Sequence, residues 1–137
     1  MIRGERMKKI LFVCVENAGR SQMAEAFVKR YGKDKIDAIS AGTRPSDEVN
    51  PMVVQVMREK GIDTSKNKPK LLNTKMVQEA DIVITMGCEA GSFCPAPLLD
   101  KVLDWKIEDP KGKPLEKVRE IRDEIEQKVK KLISETS

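Results

Sequence analysis

Cys14 and Arg20 are separated by five residues in the run Val13-Cys14-Val15-Glu16-Asn17-Ala18-Gly19-Arg20-Ser21-Gln22, which comes directly after the apolar stretch Ile10-Leu11-Phe12-Val13. A loop of that length, running from a buried strand into a helix, can curl around one tetrahedral anion. Its successive N–H groups form a nest, and the first helical turn adds unsatisfied donors and the positive end of its dipole. The guanidinium closes the ring with a planar pair of donors. Val15, Glu16, Asn17, Ala18, Gly19, Arg20 and Ser21 are therefore the expected oxyanion-binding residues. The same field favours a thiolate at Cys14, which makes it the expected nucleophile. Ser21 can donate to that thiolate, Asn17 can brace the loop through its amide, and Gly19 permits a backbone geometry that other residues resist. The plainer alternative is a small buried cysteine at a strand end. The strand before the loop, Gly-Arg-Ser within it and the helical pattern after it favour chemistry.

The chain contains no histidine, which removes imidazole as a base for a cysteine or serine nucleophile and removes most zinc chemistry. No metal and no cofactor is expected. Activation has to come from backbone dipoles and Arg20.

Two further thiols stand at Cys88 and Cys94, separated by Glu89-Ala90-Gly91-Ser92-Phe93, a stretch able to bend so that the sulfurs meet. A Cys88 thiolate close to a Cys14 adduct can attack the Cys14 sulfur. Cys94 can then attack Cys88 and carry the disulfide to the surface for a dithiol partner. The other readings are two buried small hydrophobes or two metal ligands. The spacing is not that of a Cys-x2-Cys ligand pair. Asp109-Pro110 is either a turn dipeptide or a proton donor to a leaving oxygen.

These residues need elements to position them. Apolar periodicity predicts strands over 9–14, 36–40, 81–86 and 101–105. It predicts helices over about 21–31, 49–60, 74–80 (capped by Thr74) and 114–133. Met23, Ala24, Phe27, Val28 and Tyr31 would share one buried helix face, and Val53, Val54, Val56 and Met57 another. The last helix repeats Leu115, Val118, Ile121, Ile125, Val129 and Leu132. Strands alternating with helices imply an α/β fold: a single-domain three-layer sandwich with a four-stranded parallel sheet flanked by helices and right-handed crossovers. Ligands in such sheets sit beyond the carboxyl ends of the strands. Cys14, Cys88 and Asp109 each follow a predicted strand and should gather at that edge.

At 137 residues there is room for one core. Residues 1–7 read as an N-terminal tail, with Met7 an alternative start, and residues 8–137 as the domain. The longest apolar run near the N-terminus, Ile10 to Val15, is too short for a signal peptide or a membrane span, so a cytosolic, membrane-free protein is expected; a monomer is expected as well. Three cysteines suit working thiols in a reducing compartment. The net charge of +4 comes from interleaved acids and bases with only 4% aromatics, which argues against nucleic acid. Ser65 to Lys70 reads as a surface loop.

Over roughly residues 8–133 the chain resembles the thioredoxin-coupled arsenate reductases, which share the low-molecular-weight protein tyrosine phosphatase fold. The resemblance rests on Cys14 to Glu25 (CVENAGRSQMAE), Ser40-Ala41-Gly42, Asn50-Pro51, Gly61-Ile62-Asp63, Ala80 to Thr85 (ADIVIT), Cys88, Cys94-Pro95 and Trp105 to Pro110 (WKIEDP). It implies arsenate reduction with Cys14 as nucleophile, Arg20 and the loop amides holding the anion, and Asp109 assisting proton transfer. Cys88 and Cys94 would be the relay cysteines, recycled by thioredoxin or a similar dithiol protein. Gln22 stands where the phosphatases commonly place proline. Lys111 and Thr43-Arg44-Pro45 stand where they place aromatic walls. Two features depart from the reductases: Gly87 is an extra residue before Cys88, and the gap between Cys88 and Cys94 is one residue shorter. Asn17, Glu25 and Ser40 resemble part of a potassium site found in some reductases, and near Lys70 a lysine replaces its carboxylate, so that the ammonium is expected to substitute for the ion. A phosphomonoester or tyrosine phosphatase forming phospho-Cys14 stays open as the alternative, as does an oxyanion or redox sensor without turnover.

Overall fold

The computed structural model describes residues 7–86 and 102–136. In chain order it has β1 (Lys8–Cys14), α1 (Arg20–Tyr31), β2 (Ile36–Gly42), α2 (Pro51–Arg58), α3 (Thr74–Glu79), β3 (Ile82–Met86), β4 (Val102–Trp105) and α4 (Leu115–Thr136). The strands form one sheet in the order β2-β1-β3-β4, and every pairing is parallel. This is the expected α/β architecture. Lys101, expected to open the fourth strand, lies outside the described residues, as do Cys88 and Cys94.

β1 has both edges paired, with β2 and β3, and both faces covered by packed cores, so it reads as an uninterrupted apolar run. Ile10, Phe12 and Cys14 face one core with Ala38, Ile84 and Met86, closed over by α1, α2 and α4. Leu11 and Val13 face a smaller core with Ala41 and Val83, where Leu72, Met76 and Val77 pack from the α3 side. The chain leaves β1 toward β2 and later returns to its other side as β3. Cys14 therefore ends its strand where the connections diverge, which is where open α/β sheets bind ligands.

Local chemistry sets the helix limits, and four expectations change. Asn73, not Thr74, caps α3, its side chain accepting from Met76 N–H at 2.9 Å. α2 starts at Pro51 behind Asn50, whose side chain accepts from Met52 N–H at 2.9 Å. Tyr31 is not core: it is 41% exposed, stacks on Phe27 and donates to Glu126 at 2.6 Å. Val54 and Leu115 are only partly buried against the core.

α4 is pinned to α2 by charge as well as by its apolar stripe. Buried Arg122 donates to the Val56 carbonyl at 2.9 Å and to Glu59 Oε1 at 2.6 Å, while Arg119 grips the same carboxylate through Nε and Nη2. The bonds from Arg119, and then those from Arg122, hold the Glu59 carboxyl down from 4.5 to about 2. A carboxyl lowered on folding stabilises the fold above its unfolded value and loses that contribution as the pH falls through its folded value. The wild-type melting temperature is therefore expected to fall more steeply than that of Glu59→Gln between pH 4.5 and about 2. Parallel acid melting curves for the two proteins would mean that the pair adds nothing.

Candidate active site

The loop after β1 is shaped from outside, through its carbonyls. Thr43 N–H donates to Cys14 O (3.2 Å), Arg44 N–H to Val15 O (2.7 Å), Ser46 N–H to Glu16 O (3.0 Å) and Asn50 N–H to Ala18 O (2.9 Å). In a planar trans peptide the N–H points opposite to the C=O. Drawing four carbonyls outward therefore turns the N–H groups of Val15, Glu16, Asn17 and Gly19 the other way. Gly19 O accepts from Met23 N–H along the helix at 3.0 Å, which aims Arg20 N–H out of the helix start. No described side chain caps that first turn. The result is a ring of donors at the positive end of a 12-residue helix.

Two glycines and an asparagine make this curvature possible. The left-handed residue of the loop is Asn17, at φ 52°; Gly19 has φ −139°, so the freedom expected of Gly19 is used at Asn17. Gly19 is needed for space instead, since a Cβ there would meet Pro110 Cγ at 3.0 Å. At Gly42 a Cβ would lie 2.6 Å from Val15 O and 2.9 Å from Asn17 N. Backbone cannot yield as a side-chain tip can. Gly42→Ala is expected to displace the loop and lower turnover by about a hundredfold, the usual scale for an ångström of misplacement. Steady-state kinetics checks it, and an unchanged rate would show that the loop tolerates the shift.

A directed chain of hydrogen bonds ends on the Cys14 sulfur. Lys70 N–H can only donate, and it lies 2.9 Å from Asn17 Oδ1, which fixes that amide's orientation. Asn17 Nδ2 then donates to Ser21 Oγ at 2.7 Å, occupying a lone pair and leaving the Ser21 hydrogen for Cys14 Sγ at 2.8 Å. Gln22 donates to Asn17 Oδ1 at 3.2 Å and accepts from Asn67 at 3.2 Å. Asn17, Ser21, Gln22 and Cys14 are all buried. The Ser21 hydroxyl is thus oriented to donate to the Cys14 sulfur.

Arg20 is 6% exposed and donates through Nη1 to the Ile107 carbonyl at 3.0 Å, a partner not evident from the sequence. Its Nη2 lies 3.7 Å from Asp109 Oδ2. Asp109 Oδ1 accepts from Lys111 N–H at 3.0 Å, so the Asp-Pro pair is both a turn and a neighbour of the arginine. Cys14, Glu16, Ala18, Gly19, Arg20, Asn50, Asp109, Pro110 and Lys111 line one cavity. The cavity is small and lined largely by polar and charged groups. That suits a small anion.

The ammonium beside Glu25 belongs to Lys29, not to Lys70. Lys29, one helical turn after Glu25, bonds the Glu25 carboxylate, whose other oxygen accepts from Ser40 Oγ. Lys70 joins the loop through its backbone. The 65–70 loop is largely exposed, yet its Asn67 and Lys70 brace Asn17 and Gln22.

This fold and loop define a class of protein. Residues 9–137 match the low molecular weight phosphotyrosine protein phosphatase family, and the chain belongs to it. Within that family it is 37% identical over 134 residues to a protein of Bacillus cereus named arsenate reductase 2, across 96% of this chain and 98% of that one. Among solved structures, a thioredoxin-dependent arsenate reductase of Corynebacterium glutamicum superposes with a TM-score of 0.80 at 35% identity, covering 95% of this chain and 62% of that chain. A low molecular weight protein tyrosine phosphatase from T. tengcongensis gives a TM-score of 0.81 at 28% identity, covering 93% of this chain and 99% of that one. Among the described residues no helix is long and apolar enough to cross a membrane.

Proposed function

We propose that the protein reduces arsenate to arsenite, with Cys14 as nucleophile. The observation that carries this reading is the Cys14 sulfur, held by Ser21 at 2.8 Å in a small cavity that Arg20 and Asp109 also line. Loop amides and Arg20 hold three oxygens of the anion while the thiolate attacks arsenic. A sulfur–arsenic bond forms, an arsenic–oxygen bond breaks, and Asp109 passes a proton to the departing oxygen, which leaves as water.

The Cys88 thiolate then attacks the Cys14 sulfur. A disulfide forms, and the electron pair of the sulfur–arsenic bond stays on arsenic, which leaves as arsenite. Cys94 attacks Cys88, freeing Cys14 and leaving a Cys88–Cys94 disulfide. A dithiol protein such as thioredoxin reduces that disulfide and departs oxidised. The roles of Cys88 and Cys94 rest on the sequence and on the reductases among the relatives. Gln22, buried between Asn17 and Asn67, supports the same branch.

A phosphatase reading is favoured by one observation, the equally close superposition on the T. tengcongensis enzyme. In that reading phospho-Cys14 forms and water hydrolyses it.

The test supplies arsenate with thioredoxin, thioredoxin reductase and NADPH. Arsenate-dependent NADPH consumption is expected in the wild type and is expected to disappear in Cys88→Ser and Cys94→Ser. Full turnover in both variants would overturn the relay. Rapid hydrolysis of an aryl phosphate with no arsenate-dependent NADPH consumption would overturn the reductase reading.

A further inference from the structure

We propose that Glu16 and Lys111 form a strap across the mouth of the anion cavity that admits a free tetrahedral oxyanion and discriminates against its aryl esters. The inference rests on the oxyanion reading of Cys14 and Arg20 and adds a specificity element to it.

A carboxylate in an anion site calls for explanation. Glu16 sits inside the Cys14–Arg20 loop and lines the cavity, where its charge alone would repel the ligand. The structure neutralises it. Lys111 Nζ, from the stretch just after Asp109, lies 2.8 Å from Glu16 Oε2, and Ser46 Oγ donates to Oε1 at 3.0 Å. The bond to Lys111 is the largest influence lowering the Glu16 carboxyl, against the opposing effect of burial, and the same bond raises the Lys111 ammonium. Both partners are therefore charged at neutral pH.

Their position gives the pair a consequence for the ligand. The two side chains come from loops 95 residues apart in sequence, join each other, and line the same cavity as Arg20 and Asp109. An oxyanion held by the loop amides directs its fourth oxygen outward. In free arsenate or phosphate that oxygen ends the molecule; in an ester it continues into an organic group that has to pass between Glu16 and Lys111. Lys111 is 67% exposed and Glu16 34% exposed, so water and salt weaken the pair and it can open for a small ligand to enter and leave.

Charge and size are separable, because arsenate and an aryl phosphate are both anions. Loss of one positive charge moves both in the same direction, and only the ratio reports the mouth. In Lys111→Ala the kcat/KM for p-nitrophenyl phosphate relative to that for arsenate is expected to rise about tenfold, the scale on which a pocket discriminates by size. Lys111→Arg should restore the wild-type ratio. Lys113→Ala removes a charge from the same loop but pairs with Glu108 at 3.2 Å, and should leave the ratio unchanged. The same ratio is read without turnover from the dissociation constants of phenyl phosphate and inorganic phosphate. A ratio in Lys111→Ala within twofold of wild type, or an equal rise in Lys113→Ala, overturns the strap. A shifted binding ratio in a protein that does not reduce arsenate upholds the strap and sinks the reductase reading; an unchanged ratio with normal arsenate reduction does the reverse.

Discussion

Cys14→Ser is expected to abolish arsenate reduction and aryl phosphate hydrolysis together, by about 10⁴-fold or more, the usual scale when a covalent nucleophile is removed. A serine hydroxyl needs a base to become nucleophilic, and this chain has no histidine to provide one. The helix start and Ser21 can stabilise an anion already formed at sulfur, but they cannot remove a proton from a hydroxyl. The substitution should leave the fold intact, because serine is close to cysteine in size and can keep the contact with Ser21 Oγ. The check has two parts. Turnover should vanish, while inorganic phosphate should still raise the melting temperature, since the loop amides and Arg20 remain. Residual turnover within tenfold of wild type would assign the nucleophile elsewhere.

Arg20→Lys is expected to lower kcat/KM by about 10²–10³-fold, although the charge is kept. Arg20 needs two edges: one bonds the Ile107 carbonyl at 3.0 Å, and the other faces Asp109 at 3.7 Å beside the cavity. An ammonium on a flexible stem cannot serve both with the geometry of a planar fork. Arg20→Ala should go further and destabilise the protein by about 1–3 kcal/mol, because the Ile107 carbonyl loses its donor in a buried setting. Kinetics and thermal unfolding on the two variants separate these effects. An Arg20→Lys protein with wild-type kcat/KM would reduce the arginine to a structural tie.

Local features were legible in the chain. Cys14, Arg20, Ser21 and Asn17 announce a cradle because their spacing, the strand before them and the helix after them all lie within one stretch. The parallel sheet followed from elements alternating along the chain, and the strand-end rule alone puts Cys14 and Asp109 at one edge. Features that depend on distant pairing were not legible. Nothing in Thr43 to Asn50 announces that its N–H groups draw four loop carbonyls outward, and Asn67 and Lys70 read only as polar loop residues. Glycine was the natural choice for a left-handed position, but Asn17 takes it because its amide is fixed from two sides. Lys29 rather than Lys70 reaches Glu25 because one helical turn delivers it, a placement that i,i+4 spacing could have suggested. Asn73 rather than Thr74 caps α3, the kind of one-residue displacement common at helix ends.

The central claim is that Cys14 is an activated sulfur inside an anion cradle. The most direct test is the rate at which iodoacetamide alkylates Cys14 at neutral pH in the Cys88→Ser/Cys94→Ser protein, with and without inorganic phosphate. The account predicts rapid alkylation despite burial, strongly slowed by phosphate and slowed again in Ser21→Ala. Sluggish alkylation, indifferent to phosphate and to Ser21, would contradict it.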